Sequence, residues 1–146
     1  MASFSVSGID ELNAAFGRIA DIPWSVTEDA LNAMAEVTAE KMKAQGESMG
    51  VRDPESDVHI LDKIKPVKAK QTKSGGKQDI TFSGTSTRGK NKKKTRNAEI
   101  AFVIEFGRRN MRARPFIGTA MARHENEITE PGAKVIGDWI ENEFQR

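Results

Sequence analysis

Apolar residues recur at helical spacing near both ends of the chain. Ile9, Leu12, Phe16 and Ile19 form one stripe, which predicts a first helix with Ser7 as its cap and Asp10 three residues on. Ile22-Pro23 interrupts it, and Pro23 suits the start of a second helix, expected from Trp24 to Gln45. Val26, Ala30, Ala33, Met34 and Val37 would point inward and Glu28, Glu36, Glu40, Lys41 and Lys43 outward, with Gly46 as the stop. Towards the other end, Val135, Ile136, Trp139, Ile140 and Phe144 predict a final helix, which Pro131-Gly132 should break or bend.

Between these ends the pattern turns to alternation. Ile64, Val67 and Ala69, separated by lysines and Pro66, predict an irregular edge strand. Ser74-Gly75-Gly76 signals a turn, and Ile80 and Phe82 a short second strand. A third strand is expected with Ile100, Phe102, Ile104 and Phe106 on one face and Glu99, Ala101, Val103 and Glu105 on the other. Gly107 would end it, and Pro115 would open a helix bearing Phe116, Ala120 and Met121. This order predicts a single α+β domain over residues 1–146. In it a small antiparallel sheet of about three strands is packed by a long N-terminal helix and C-terminal helices.

Charge sharpens the picture. The net charge is only +2, yet residues 63–114 hold sixteen Lys and Arg against three acids, and the remainder seven against eighteen. Much of the excess lies in 84–97, a segment poor in apolar residues that reads as a mobile basic loop between strands. A basic middle between acidic ends has three readings: a solvated loop, a nucleic-acid footprint, or half of a charge-matched contact between copies. Arg88, Lys90, Lys92, Lys93, Lys94 and Arg96 are the candidates for contact with DNA or a partner. No aromatic residue interleaves with them, which speaks against base stacking and leaves non-specific phosphate contact.

Candidate chemistry is sparse. His59 and His124 have no neighbour at metal-ligand spacing, and the chain of 146 residues contains no cysteine. Asp53, Glu55 and Asp57 lack the glycine and distal glutamate of a calcium loop. Gly75-Gly76-Lys77 lacks the upstream glycine and following Ser or Thr of a phosphate loop. No catalytic group, metal or cofactor is therefore expected. With 37% apolar residues and no long apolar run, neither a membrane span nor a secretory signal is expected.

Residues 98–122, AEIAFVIEFGRRNMRARPFIGTAMA, join the acidic-aromatic-glycine end of a predicted strand to an arginine-dense loop and a helix opened by Ala113-Arg114-Pro115-Phe116. With SGIDELNAAF near the start and the alanine-rich helix after it, this order resembles the tail-completion, or head–tail joining, proteins of long-tailed bacteriophages. The chain departs from that family in its long basic loop, in Pro131-Gly132, and in lacking a Thr-Gly-Leu before the first strand. The resemblance implies a structural virion protein forming a six-fold homo-oligomeric ring at the neck, at the top of the tail tube. Its neighbours would be connector, tail terminator and tail tube proteins, with non-specific contact to DNA in the channel. Before assembly it would reside in the host cytoplasm. Phe106, Gly107, Pro115 and Phe116 would then form a structural corner, and Arg108, Arg109, Arg112 and Arg114 would serve interfaces. The alternative is a stand-alone, non-sequence-specific nucleic-acid-binding module.

Overall fold

One helix of 25 residues is the axis against which the two C-terminal helices pack. In the computed structural model, which describes residues 9–51, 59–88 and 93–146, α1 spans Ile9–Ala20 and α2 spans Trp24–Ser48. Ser7 and the Asp53, Glu55 and Asp57 loop lie outside the described residues. Pro23 is the N-cap of α2 with φ −58°, the angle its ring imposes. Gly46 does not stop this helix, as the sequence suggested; α2 continues to Ser48. Gly46 instead marks the place where Leu61 and Phe116 press on the helix, and a Cβ there would lie 3.2 Å from the Phe116 ring. Gly50, at φ 69°, then turns the chain.

A 3-10 turn at Ile60–Lys63 leads, among the described residues, into six short strands that pair as three antiparallel ribbons. β1 (Ile64–Pro66) pairs with β4 (Ile80–Phe82), β2 (Lys70–Thr72) with β3 (Gly75–Lys77), and β5 (Thr85–Arg88) with β6 (Lys93–Arg96). The class is α+β, with its β part divided into two-stranded ribbons. The strands expected at Ile64 and at Ile80–Phe82 pair with each other, Ile64 opposite Phe82. The Ser74-Gly75-Gly76 signal is the β2–β3 hairpin, with Thr72 opposite Gly75. Its Gly76 lies so close to α2 that a Cβ would come within 2.7 Å of the Trp24 ring.

Two expectations in the middle of the chain are corrected. Segment 84–97 is largely the β5–β6 hairpin, in which Thr85 faces Arg96 and Thr87 faces Lys94. The supposed third strand is α3, Asn97–Phe106. Its apolar run fits both periods: Ile100, Phe102, Ile104 and Phe106 alternate, but Asn97, Ile100, Ala101 and Ile104 recur at three and four. The second set is the buried one, whereas Phe102 and Phe106 are 64% and 67% exposed. Junction chemistry favours the helix. Buried Asn97 donates from Nδ2 to the Ser83 carbonyl at 2.7 Å and accepts from the Ser86 hydroxyl, which pins the start of α3 to the hairpin.

α4 (Phe116–Arg123) and α5 (Glu125–Phe144) complete the chain. Pro131-Gly132 does not break α5, which runs through both residues. Gly132 sits where α5 crosses α2: an added Cβ would collide with Met34 and lie 3.3 Å from the Ala30 carbonyl oxygen. The central core gathers Met42, Ile60, Leu61, Phe82, Ile100, Ile104 and Phe116 from α2, the 3-10 turn, β4, α3 and α4. α1 lies against α5, with Phe16 edge-on to Phe144 at 6.1 Å and Arg18 Nε 3.4 Å from a Glu143 carboxylate oxygen.

Candidate functional site

The segment that carries the resemblance folds into a corner between α3 and α4. Gly107 caps α3 at φ 75° and ψ −179°, a region open essentially to glycine alone. An added Cβ would lie 2.8 Å from both the Met111 oxygen and the Ala113 nitrogen, backbone atoms with nowhere to go. The chain then doubles back through paired hydrogen bonds between Arg108 and Met111, 3.0 Å and 2.9 Å long. The Arg114 N–H returns to the Ile104 carbonyl at 2.7 Å. Pro115 is the N-cap of α4, and Phe116, fully buried, meets Phe82 edge-on at 6.0 Å. The glycine turns the chain off a helix, not a strand, and Phe116 anchors α4 against β4.

The acidic residue of the motif, whose role has no local sequence signal, completes the corner. The Glu105 carboxylate accepts the Ile117 and Gly118 N–H groups at 2.8 Å and 2.9 Å, so α3 supplies the anionic cap for α4. Ile117 lies twelve positions after Glu105, too far for a capping box to reveal the cap.

The predicted arginines divide. Arg114 is half-buried and donates to the Gly50 carbonyl at 2.6 Å, tying the corner to the end of α2. Arg108, Arg109 and Arg112 are exposed. Lys93, Lys94 and Arg96 are exposed on β6, where Arg96 holds Glu99 at 2.8 Å. Lys90 and Lys92 lie outside the described residues, as does the side chain of Arg88. Beside this strand a cleft of about 500 Å³ opens between β6 and the corner, with Ile100, Val103, Ile104 and Met111 along it and Lys93 and Arg108 among its lining. Next to Val103 on α3, and beyond the corner, stand Phe102 and Phe106, their rings 4.8 Å apart. Phe106 belongs to the expected corner by sequence, but its ring points to solvent and pairs one helical turn back.

A second groove, of about 810 Å³, runs between α2 and α5. Val37, Pro131 and Ala133 give it an apolar floor, and Glu40, Glu127 and Glu130 an acidic rim tempered by Lys41 and Lys134. Lys41 Nζ meets Glu127 at 2.6 Å, and His124 meets the other Glu127 oxygen at 3.0 Å. The hydrogen bond from Lys41, reinforced by that from His124, holds the Glu127 carboxyl below its usual range. The same bond raises Lys41 above the ordinary lysine value.

Among the described residues no group of three or more His, Cys, Asp or Glu is placed to hold a metal ion, and no helix is long and apolar enough to cross a membrane. What the two sites offer is surface chemistry: an exposed aromatic pair followed in the chain by exposed arginines, and an apolar groove rimmed by carboxylates and two lysines. Comparison with protein-family models, curated proteins and solved structures found no match to this chain.

Proposed function

We propose that this chain is a structural subunit of a bacteriophage neck, a tail-completion protein that forms a ring and joins the finished tail to the head. One observation carries the reading. The resembling segment forms a corner that leaves Arg108, Arg109, Arg112, Phe102 and Phe106 exposed, a surface fit for association. Gly107, Pro115 and buried Phe116 define the backbone there, so association through this face would bear mainly the ordering cost of the exposed side chains. The work would be associative: apolar helix faces and charged loops pack against sister copies and against connector, terminator and tube proteins. Disruption of the gene in its phage is the test. DNA-filled heads and complete tails should accumulate unjoined, and recover on supply of the protein. Joined, infectious particles without it would reject the reading.

The β5–β6 hairpin favours a second reading, a non-specific nucleic-acid-binding module. It concentrates Lys93, Lys94 and Arg96 on one exposed ribbon. Such a module would bind duplex DNA alone, with an affinity that falls steeply and linearly on a log–log salt plot.

A further inference from the structure

The two surface features described above are unlike each other and lie on different elements. The aromatic pair stands on α3, which packs on β4, β6, the 3-10 turn and α4; the acidic-rimmed groove is formed by α2 and α5. Phe102 and Phe106 leave about two thirds of their surface in water, a costly arrangement for two large rings side by side. Arg108 and Arg109, two and three residues after Phe106 in the chain, are exposed. The groove has an apolar floor of Val37, Pro131 and Ala133; of its rim charges Lys41 is paired with Glu127 and Lys134 with Asp138, while Glu40 and Glu130 are exposed.

We infer that the Phe102–Phe106 pair of one copy seats in the α2–α5 groove of the next, with Arg108 and Arg109 against Glu40 and Glu130. The occupant is a second copy because the chain carries both halves of the match. Its basic excess is confined to residues 63–114, and its acidic excess to the rest. A nucleic-acid strand would satisfy the cations and the rings but leave the acidic groove unused. The contact joins unlike surfaces, so it is heterologous, and such contacts propagate until they close into a ring or continue as a filament. The inference rests on the proposed neck function only in that it names the surfaces through which such a ring would form.

The test uses the full chain and sedimentation. Phe102→Ser with Phe106→Ser replaces only exposed rings, so the circular dichroism and melting profile should be kept. Self-association should weaken by roughly thirtyfold or more, the size expected for losing central aromatic anchors. Two charge variants sharpen the result. Glu40→Arg with Glu130→Arg makes groove and knob both basic, and Arg108→Glu with Arg109→Glu makes both acidic. Each should be monomeric alone, and an equimolar mixture should associate. Undiminished association of the serine variant, or a mixture that stays monomeric, overturns the inference. So does a monomeric wild type whose single-strand DNA affinity falls with the aromatic pair removed, since that assigns the pair to nucleic acid. Wild-type assemblies that survive every variant would sink the pairing of surfaces while leaving the neck reading intact. Dimers or filaments broken by the serine variant, in a phage that joins heads and tails without the protein, would do the reverse.

Discussion

Gly107 and Phe116 carry the corner by different means, and substitutions separate them. Gly107 has a backbone that side chains cannot adopt and no room for a Cβ. Gly107→Ala should therefore cost about 1–3 kcal/mol through backbone strain alone, with more from the clash. Phe116 is fully buried between Gly46 of α2 and Phe82 of β4. Phe116→Ala should cost about 3–5 kcal/mol, mostly as an unfilled cavity. Urea denaturation reads both, and a loss under about 1 kcal/mol for Phe116→Ala would contradict its place as the anchor. Much of this corner is legible in the sequence, because glycine, proline and a flanked phenylalanine have conformational meanings that survive a change of neighbouring element. Glu105 is not legible: its role as cap of α4 depends on α3 and α4 meeting in space, which no spacing along the chain announces.

At the scale of elements, the helical stripes are plain in the sequence and the middle of the chain less so. The run Ile100–Phe106 satisfies a period of two and a helical period at once, so only its surroundings decide between them. Asn97 and Gly107 at its ends, together with burial of Ile100, Ala101 and Ile104, decide for the helix. Pro131-Gly132 misleads for a related reason. Pro131 is the seventh residue of α5, past the first turn where proline is tolerated, yet the helix runs through it, and Gly132 is needed where α5 presses on α2. Gly132→Leu should thus destabilise by about 1–3 kcal/mol, whereas Gly132→Ala should cost less because the flexible Met34 side chain can move aside. A Leu variant as stable as the wild type would mean that the two helices are not so closely packed.

The clasp between α2 and α5 adds a pH dependence whose sign can be worked out. Lys41 and His124 hold the Glu127 carboxyl below its ordinary value of 4.5. Its contribution is therefore present above that unfolded value and is lost as pH falls through the lower folded one. Lys41 is raised above 10.5, chiefly by the hydrogen bond to Glu127, so its contribution is present below that value and lost as pH rises through the higher folded one. Glu127→Gln should flatten the stability profile at both ends relative to the wild type. Glu127 is exposed and Lys41 only half-buried, so the differences will be small and will shrink with salt. Denaturation midpoints at acid, neutral and alkaline pH, compared between the two proteins, measure them; parallel profiles would show that the clasp contributes nothing.

For the whole molecule, the division of charge has a consequence for salt. If copies join by setting the basic region of one against the acidic groove of the next, added salt screens that attraction over a Debye length of about 10 Å at 0.1 M and about 3 Å at 1 M. Burial of Phe102 and Phe106 in the contact is not screened. Association should therefore weaken between those two salt concentrations and then level off, with the aromatic contribution remaining. In the phenylalanine-to-serine variant, no such plateau should remain. Contact with DNA through the β5–β6 hairpin behaves differently, because each phosphate neutralised releases a counterion and the logarithm of affinity keeps falling in a straight line. Lys93→Ser with Lys94→Ser, exposed on β6, should leave folding unchanged, since neither side chain belongs to the core. The double substitution should lower the slope of any such DNA line by about two, near 0.9 for each phosphate that is no longer neutralised. Sedimentation and DNA titration across one salt series thus separate association between copies, which levels off, from a polyelectrolyte contact, which does not.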